Sequence, residues 1–322
     1  MKPTLVVVML SVLLGLWPLQ ALADDAPPFF VYLSCDVCTP ANYLSYDHFL
    51  QIDSCGAPHI VYDAYHVFRR GDAWFKEVID WAGGAYSTLT IDSADHLHVV
   101  YQDGTPQLKY ATFDGCCWRR EFIFRDHYGG LASLTLDSRG NPHVVYIGTD
   151  DLNQVYWQGS RLQYAVRDAE GWHITTVADD ATWAFAGPSL ALDHNDHPHI
   201  AYRSGDQLKY AFFDGNHWSN SVIDTGPLDG SLTGDVSLAL VSNGLPHVVY
   251  KTAWSEDIGP SLIFYSVLYH SYRAETGDWL TEVVNRGSII HRPELVIDPS
   301  NRLHLVYSSR VFHNSHLGEL AH

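Results

Sequence analysis

Hydrophobic residues in this 322-residue chain fall in short runs separated by turn-forming residues. Beyond the N-terminus no stretch keeps the three-to-four-residue spacing of an amphipathic helix. Segments such as SLTLD, PHVVY and LQYAVRD are rich in Val, Leu, Tyr and Thr and are bounded by Gly, Asp, Asn and Pro, which predicts strands. They recur in a fixed order. Residues 133–177 read SLTLD-SRGN-PHVVY, then LQYAVRDAEGW, then HITTV; residues 189–223 read SLALD-HNDH-PHIAY, then LKYAFFDGNHW, then SNSVI. Thr88 to Phe124 follows the same order. Each unit predicts four short antiparallel strands, apolar on both faces as stacked sheets require.

The core of the unit is a His followed three residues later by a Tyr. It occurs six times, at 59–62, 98–101, 143–146, 199–202, 247–250 and 304–307. Asp53, Asp92, Asp137, Asp193 and Asp298 each stand six residues before their His, and only Val241 breaks the series. Three residues after these positions come Gly56, Asp95, Gly140, Asp196, Gly244 and Asn301, types that tolerate positive φ. One turn geometry is therefore expected six times. A period of roughly 40–57 residues built from short strands predicts a radial array. The expected fold is all-β: a six-bladed β-propeller of four-stranded antiparallel blades. The last unit is short, since Pro293 to Tyr307 supplies two strands and Gly318 to Ala321 begins a third. The apolar run Phe29 to Leu33 is expected to close the ring as an outer strand of the sixth blade.

The pattern L-x-L-D-x-x-G-x-P-H-V-x-Y, followed by L-x-Y-A-x-x-D-G-x-W, resembles bacterial propeller repeats grouped loosely with the sialidase-type Asp-box repeats. The resemblance covers most of residues 46–310. The strict Asp-box, Ser-x-Asp-x-Gly-x-Thr-Trp, is nowhere present. The resemblance therefore implies the fold and not sialidase chemistry, and a sialidase's arginine triad and Tyr/Glu pair map onto no positions here.

The chain begins with Lys2, an apolar core from Leu5 to Leu16 and an Ala21-Leu22-Ala23 cleavage pattern, so residues 1–23 read as a secretory signal. Residues 24–322 are then one exported, soluble propeller domain. The charge balance is acidic, with 37 Asp and Glu against 19 Lys and Arg, which argues against a nucleic-acid partner. Five cysteines, Cys35, Cys38, Cys55, Cys116 and Cys117, enter an oxidising compartment, and a disulfide from Cys35 to Cys38 or Cys55 is expected.

Antiparallel order places the uniform turns at one end of the ring and the variable loops at the other. The variable set includes insertions at residues 147–161, 178–187 and 251–261. Aromatic and charged residues gather there, and Trp157, Trp183, Arg203, Lys251 and Trp254 are the expected ligand-binding residues. The six repeated His are expected to pin the turns beside their Asp and not to bind metal, and no cofactor or metal is implied. The densest His cluster, His194, Asp196, His197 and His199, fits no standard metal pattern. The first functional reading is a binding module for a glycan or protein partner. The alternative is a polysaccharide lyase acting on an acidic glycan, with His127, Tyr128, His291 and Arg292 as acid-base and charge-neutralising groups.

Overall fold

The computed structural model describes residues 5–10, 49–103, 107–124, 128–149, 160–181, 187–224, 236–257, 262–287 and 289–310. Its regular elements are all strands. Four-stranded antiparallel meanders are formed by β2 (Phe49–Ile52), β3 (Pro58–Tyr62), β4 (Tyr65–Arg70) and β5 (Ala73–Val78), and by β6 (Ala85–Ile91), β7 (Leu97–Gln102), β8 (Leu108–Phe113) and β9 (Trp118–Phe122). The third sheet holds β10 (Tyr128–Leu136), β11 (Pro142–Thr149), β12 (Arg161–Arg167) and β13 (Trp172–Ala178). The fourth holds β14 (Ser189–Leu192), β15 (Pro198–Ser204), β16 (Gln207–Phe213) and β17 (Trp218–Asp224). The fifth holds β18 (Val236–Leu240), β19 (Pro246–Asp257), β20 (Leu262–Arg273) and β21 (Trp279–Gly287). The sixth has three strands: β22 (Ile289–Ile297), β23 (Leu303–Arg310) and, parallel to β23, β1 (Leu5–Leu10).

The turn expected six times is present six times. Gly56, Asp95, Gly140, Asp196, Gly244 and Asn301 all have φ between 59° and 82°. Each turn is closed by the same pair of backbone bonds, as in Asp53 N–H to Ala57 O and Gly56 N–H to Asp53 O, both 3.0 Å.

Successive sheets stack through apolar clusters. The first His-Tyr apolar position faces the preceding sheet and the second faces the following one. Val61 thus packs with Val99 and Leu89, Val100 with Val144 and Leu134, and Val145 with Ile200 and Leu190. Ala201 packs with Val248 and Leu238, and Val249 with Leu305 and Leu295. A second layer repeats outside this core. Trp118, Trp172, Trp218 and Trp279 set their rings edge-on to His66, Tyr110, Tyr164 and Tyr210 of the preceding sheet.

The face of the first sheet turned away from the second is different. Leu50 is 48% exposed where its counterpart Leu89 is 3%, and Val306 is 39% exposed where Val61, Val100, Val145, Ala201 and Val249 are at 0%. Trp74 and Ile52 are exposed on the same face of the first sheet. The Phe29–Leu33 run expected to complete the sixth sheet lies outside the described residues, as do residues 318–321. The third-strand place beside β23 is occupied by Leu5–Leu10, part of the segment that reads as a leader. An apolar six-residue run satisfies a bare strand edge whatever its origin. Among the described residues no helix is long and apolar enough to cross a membrane.

The expected Cys35–Cys55 disulfide is not formed: Cys55 is a free thiol, as are Cys116 and Cys117, and all three are exposed. Each sits at a turn tip whose N–H groups are held by a carboxylate, Asp53 for Cys55 and Asp114 for the vicinal pair. Cys35 and Cys38 lie outside the described residues.

Candidate functional site

At the uniform end the side chains are consumed by the scaffold. Asp53 accepts the N–H groups of Cys55 and Ala57 at 3.0 and 2.7 Å, and Asp92, Asp137, Asp193 and Asp298 repeat this pair. The second carboxylate oxygen faces the repeated His at Nε2, 3.3 Å from His59, 3.5 Å from His98, 3.7 Å from His143, 3.8 Å from His199 and 3.1 Å from His304. Nδ1 of His98, His143 and His199 accepts the hydroxyl of Tyr110, Tyr164 and Tyr210, while Nε2 of His199 is buried without a hydrogen-bond partner among the described residues. In the first and fifth sheets a histidine replaces that tyrosine. His59 Nδ1 meets His66 Nε2 at 2.9 Å, and His66 Nδ1 reaches Glu77 at 2.8 Å. His247, His270 and Glu282 repeat the relay at 2.9 and 3.0 Å. Burial holds the His199 and His247 rings neutral, with pKa values pushed down to about 4.

The cluster at His194–His199 is likewise occupied. Asp196 accepts both the N–H and the hydroxyl of Ser138, His197 faces Asp193 at 3.6 Å, and His199 is held by Tyr210. Among the described residues, Asp168, Glu170 and His173 form the one group with ligand atoms close enough for a cation. It is fully exposed, and Asp168 is already engaged by Glu170 N–H, Gly171 N–H and His173.

The repeated tyrosines cross toward the variable end and tie sheets together. Tyr101 donates to Asp80 Oδ2 at 2.8 Å and Tyr250 to Asp224, while Asn285 Nδ2 donates to Tyr307 at 3.0 Å. Tyr202 donates to Asn220 at 3.2 Å within its own sheet. Burial raises the phenol pKa of Tyr101, Tyr202 and Tyr250, so each remains a donor.

Trp81 stands apart from this pattern. It is 86% exposed, the most exposed large hydrophobic side chain among the described residues. It lies in the link from β5 to β6, at the variable end, yet its loop is tightly held. Asp80 accepts the Ala82 N–H at 3.0 Å, the Tyr101 hydroxyl, and Lys109 Nζ at 3.0 Å. Lys109 is itself shared with Asp103 at 2.9 Å. Ile79 N–H bonds to Ala64 O at 2.8 Å, and Arg120 donates to Ile79 O at 3.1 Å. A Cβ at Gly84 would come within 2.6 Å of the Ala64 Cβ, so only glycine lets the loop lie this close to the β3–β4 turn. The following Tyr86 has φ +52°, a strained value for an aromatic residue. An indole in water on a clamped loop offers an open stacking face. In the sequence Trp81 is not marked as functional, because its Gly-rich link resembles an ordinary connector.

Of the expected site residues, Trp157, Trp183 and His127 lie outside the described residues. Tyr128 opens β10, while His291 and Arg292 lie in β22, three sheets further on. Trp254 belongs to a long hairpin. The expected insertion at 251–261 is largely an extension of β19 and β20, twelve residues each, in which Trp254 pairs with Tyr265 and stacks on it at 5.3 Å. Lys251 and Arg203 occupy the same register position in adjacent sheets and are buried, at 2% and 9% exposure. Both are expected ligand-binding residues of the variable end, and both lie in strands with their side chains buried.

No family model and no curated protein matches the sequence. Solved structures do match in fold. An ulvan lyase of a polysaccharide lyase family, bound to a glucuronate–rhamnose-3-sulfate repeat, shares 14% identity over 78% of this chain and 72% of its own, with a TM-score of 0.52. AofleA from Arthrobotrys oligospora shares 10% identity over 81% and 78%, at 0.51. A protein of unknown function from Dyadobacter fermentans shares 11% over 83% and 90%, at 0.50. At such identities the likeness is one of architecture: the chain has an all-β, propeller-like fold of repeated four-stranded antiparallel sheets.

Proposed function

We propose that this protein is an exported six-bladed propeller, residues 24–322 behind a leader, that binds a saccharide on its variable-loop end. Trp81 is the stacking platform, and Trp157, Trp183 and Trp254 are further contacts. The observation that carries this reading is the 86% exposure of Trp81 on a loop pinned through Asp80. Leaving an indole in water forgoes the roughly 1.5–3 kcal/mol that burying a large apolar side chain yields. Clamping it there is reasonable where a ligand completes the burial. A pyranose suits the site, since its C–H face stacks on the ring and its hydroxyls meet the polar rim. The ulvan lyase among the fold neighbours binds a saccharide, which supports the same reading.

The test is binding of the purified protein to a glycan array, followed by calorimetry on the best hit. Trp81→Ala is expected to weaken that hit by about tenfold or more while leaving the melting temperature unchanged. A variant that binds as tightly as wild type removes Trp81 from the site. The enzyme alternative is addressed in the same preparation by following polyuronates for the ultraviolet absorbance of unsaturated products. A rise that is lost in His291→Ala and His127→Ala would move the reading to a lyase.

A further inference from the structure

Arg203 occupies the position that is Asp63, Gln102, Ile147, Lys251 and Ser308 in the other sheets. It directly follows the repeated Tyr202 on β15, on the face that Ala201 presents to the fifth sheet, where Ala201 packs with Leu238, Val248 and Tyr250. The same position in the third sheet is Ile147, which is 5% exposed and sits in the apolar cluster with Ile200 and Leu190. Arg203 is nearly as buried, at 9% exposure. Among the described residues its Nε has no hydrogen-bond partner. Asp206, exposed on the adjoining β15–β16 turn, acts on it electrostatically.

The third sheet fills this place with an apolar residue, Ile147, whereas Arg203 brings a buried guanidinium into it. A buried charge without a matched partner costs several kcal/mol, and buried guanidinium groups are ordinarily paired. Orphaned buried donors call for an explanation, and a ligand is one. The position lies at the end of β15 nearest the variable loops. Lys251, at the same position one sheet on, is a second buried cation in a chain of net charge −18.

We propose that Arg203 is the receptor for an anionic group of the ligand, a carboxylate or a sulfate ester carried on the saccharide. The inference rests on the saccharide reading above and gives it a substrate class, acidic glycans. The planar fork of a guanidinium matches either oxyanion with two parallel N–H bonds, and the low-dielectric setting between sheets strengthens them.

The experiment is calorimetry at fixed ionic strength with three probes: methyl glucuronide, a glucose 6-sulfate and neutral methyl glucoside. Wild type is expected to bind at least one charged sugar about tenfold or more tightly than the neutral one. The preferred probe tells carboxylate from sulfate. Arg203→Ile is expected to erase the preference while melting no lower than wild type, because it restores the apolar filling seen at Ile147. Arg203→Lys is expected to keep part of the preference. The inference is overturned if wild type shows no preference, if Arg203→Ile keeps it, or if Arg203→Ile melts lower and so reveals a structural guanidinium. Saccharide binding lost in Trp81→Ala but indifferent to Arg203 would leave the functional reading standing without this one. Arg203-dependent binding untouched by Trp81→Ala would do the reverse.

Discussion

Val241 marks a turn built for a carboxylate that it does not have. Its backbone frame matches the other five: Val241 N–H bonds to Leu245 O at 3.1 Å and Gly244 N–H to Val241 O at 2.7 Å. In those five turns an Asp accepts the N–H groups two and four residues on, at 2.7–3.0 Å. In the fifth sheet the corresponding donors are Asn243 and Leu245. Leu245 N–H makes only a long contact of 3.3 Å to the Asn243 side chain. Val241→Asp would therefore supply two charge-assisted bonds without moving the chain. Bonds to a charged group are worth about 1.5–3 kcal/mol each, and desolvating the carboxylate offsets much of that. A net gain of about 1–2 kcal/mol is expected, which is a melting shift on the order of 2–8 °C for a chain of this class. The new carboxylate would also face His247 and raise its pKa from about 4. The assay is thermal and urea unfolding together with hydrogen exchange at Asn243 and Leu245. Both amides should slow in the variant. A folded variant with unchanged melting and unchanged exchange at those two amides would refute the claim that the Asp series stabilises the turns.

Acid is expected to destabilise the fold in two stages. His199 and His247 stay neutral in the folded state down to about pH 4 because they are buried, whereas they titrate near 6.5 when unfolded. The unfolded chain then binds more protons, so stability is full above pH 6.5 and falls as pH drops toward 4, by up to about 3 kcal/mol per ring. The turn carboxylates follow. Burial alone would raise the Asp137 pKa, but bonds from Asn141 and Arg139 outweigh it and hold it at about 2, so its contribution is lost below pH 3.8. Urea titrations at pH 7, 5.5, 4.5 and 3 would read both stages, and a midpoint flat from pH 7 to 4.5 would contradict the first. Ser138 donates its N–H and its hydroxyl to Asp196 of the next sheet at 2.9 and 2.6 Å, so Asp196→Gly is expected to cost about 1 kcal/mol and to speed exchange in the turns of the third and fourth sheets only. Exchange spread evenly over all six turns would argue against a local staple.

The staples show what was legible in the sequence and what was not. Composition and spacing reveal the six turns, their positive-φ residues and the Asp–His contacts, because each depends on residues within one hairpin. The bonds between hairpins escaped that reading. Ser54 reaches Asp95, Ser138 reaches Asp196 and Ser242 reaches Asn301, so sheets are joined one to two, three to four and five to six. At the other junctions the receiving position is Gly140 or Gly244, which has no side chain to accept. The alternation of Gly with Asp or Asn is visible in the sequence, but its meaning needs the sheets set side by side. Trp81 was illegible for a related reason: an exposed ring and a buried ring look alike until the neighbours are placed. Arg203 is legible in the sequence as a cation, but its burial is visible only in the packing.

The same comparison across repeats applies to the face where the first sheet meets no equal. Leu50 repeats a residue that is buried elsewhere, Ile52 and Trp74 repeat residues that are half-buried elsewhere, and Val306 occupies a place that is fully buried in every other sheet. The sequence of these residues is that of an interface, since a solvent-facing strand would show polar alternation instead. Burying them would contribute roughly 1.5–3 kcal/mol for each large side chain, enough to matter against a net stability of about 5–15 kcal/mol. The sixth sheet is also the one whose third strand comes from Leu5–Leu10, within the expected leader. Loss of that leader would bare the β23 edge beside a face already rich in exposed apolar groups. On this argument these exposed faces contribute less to stability than the five junctions that are fully packed. Substitutions at Leu50 and Val306 should therefore change stability less than the matching ones at Leu89 and Val249.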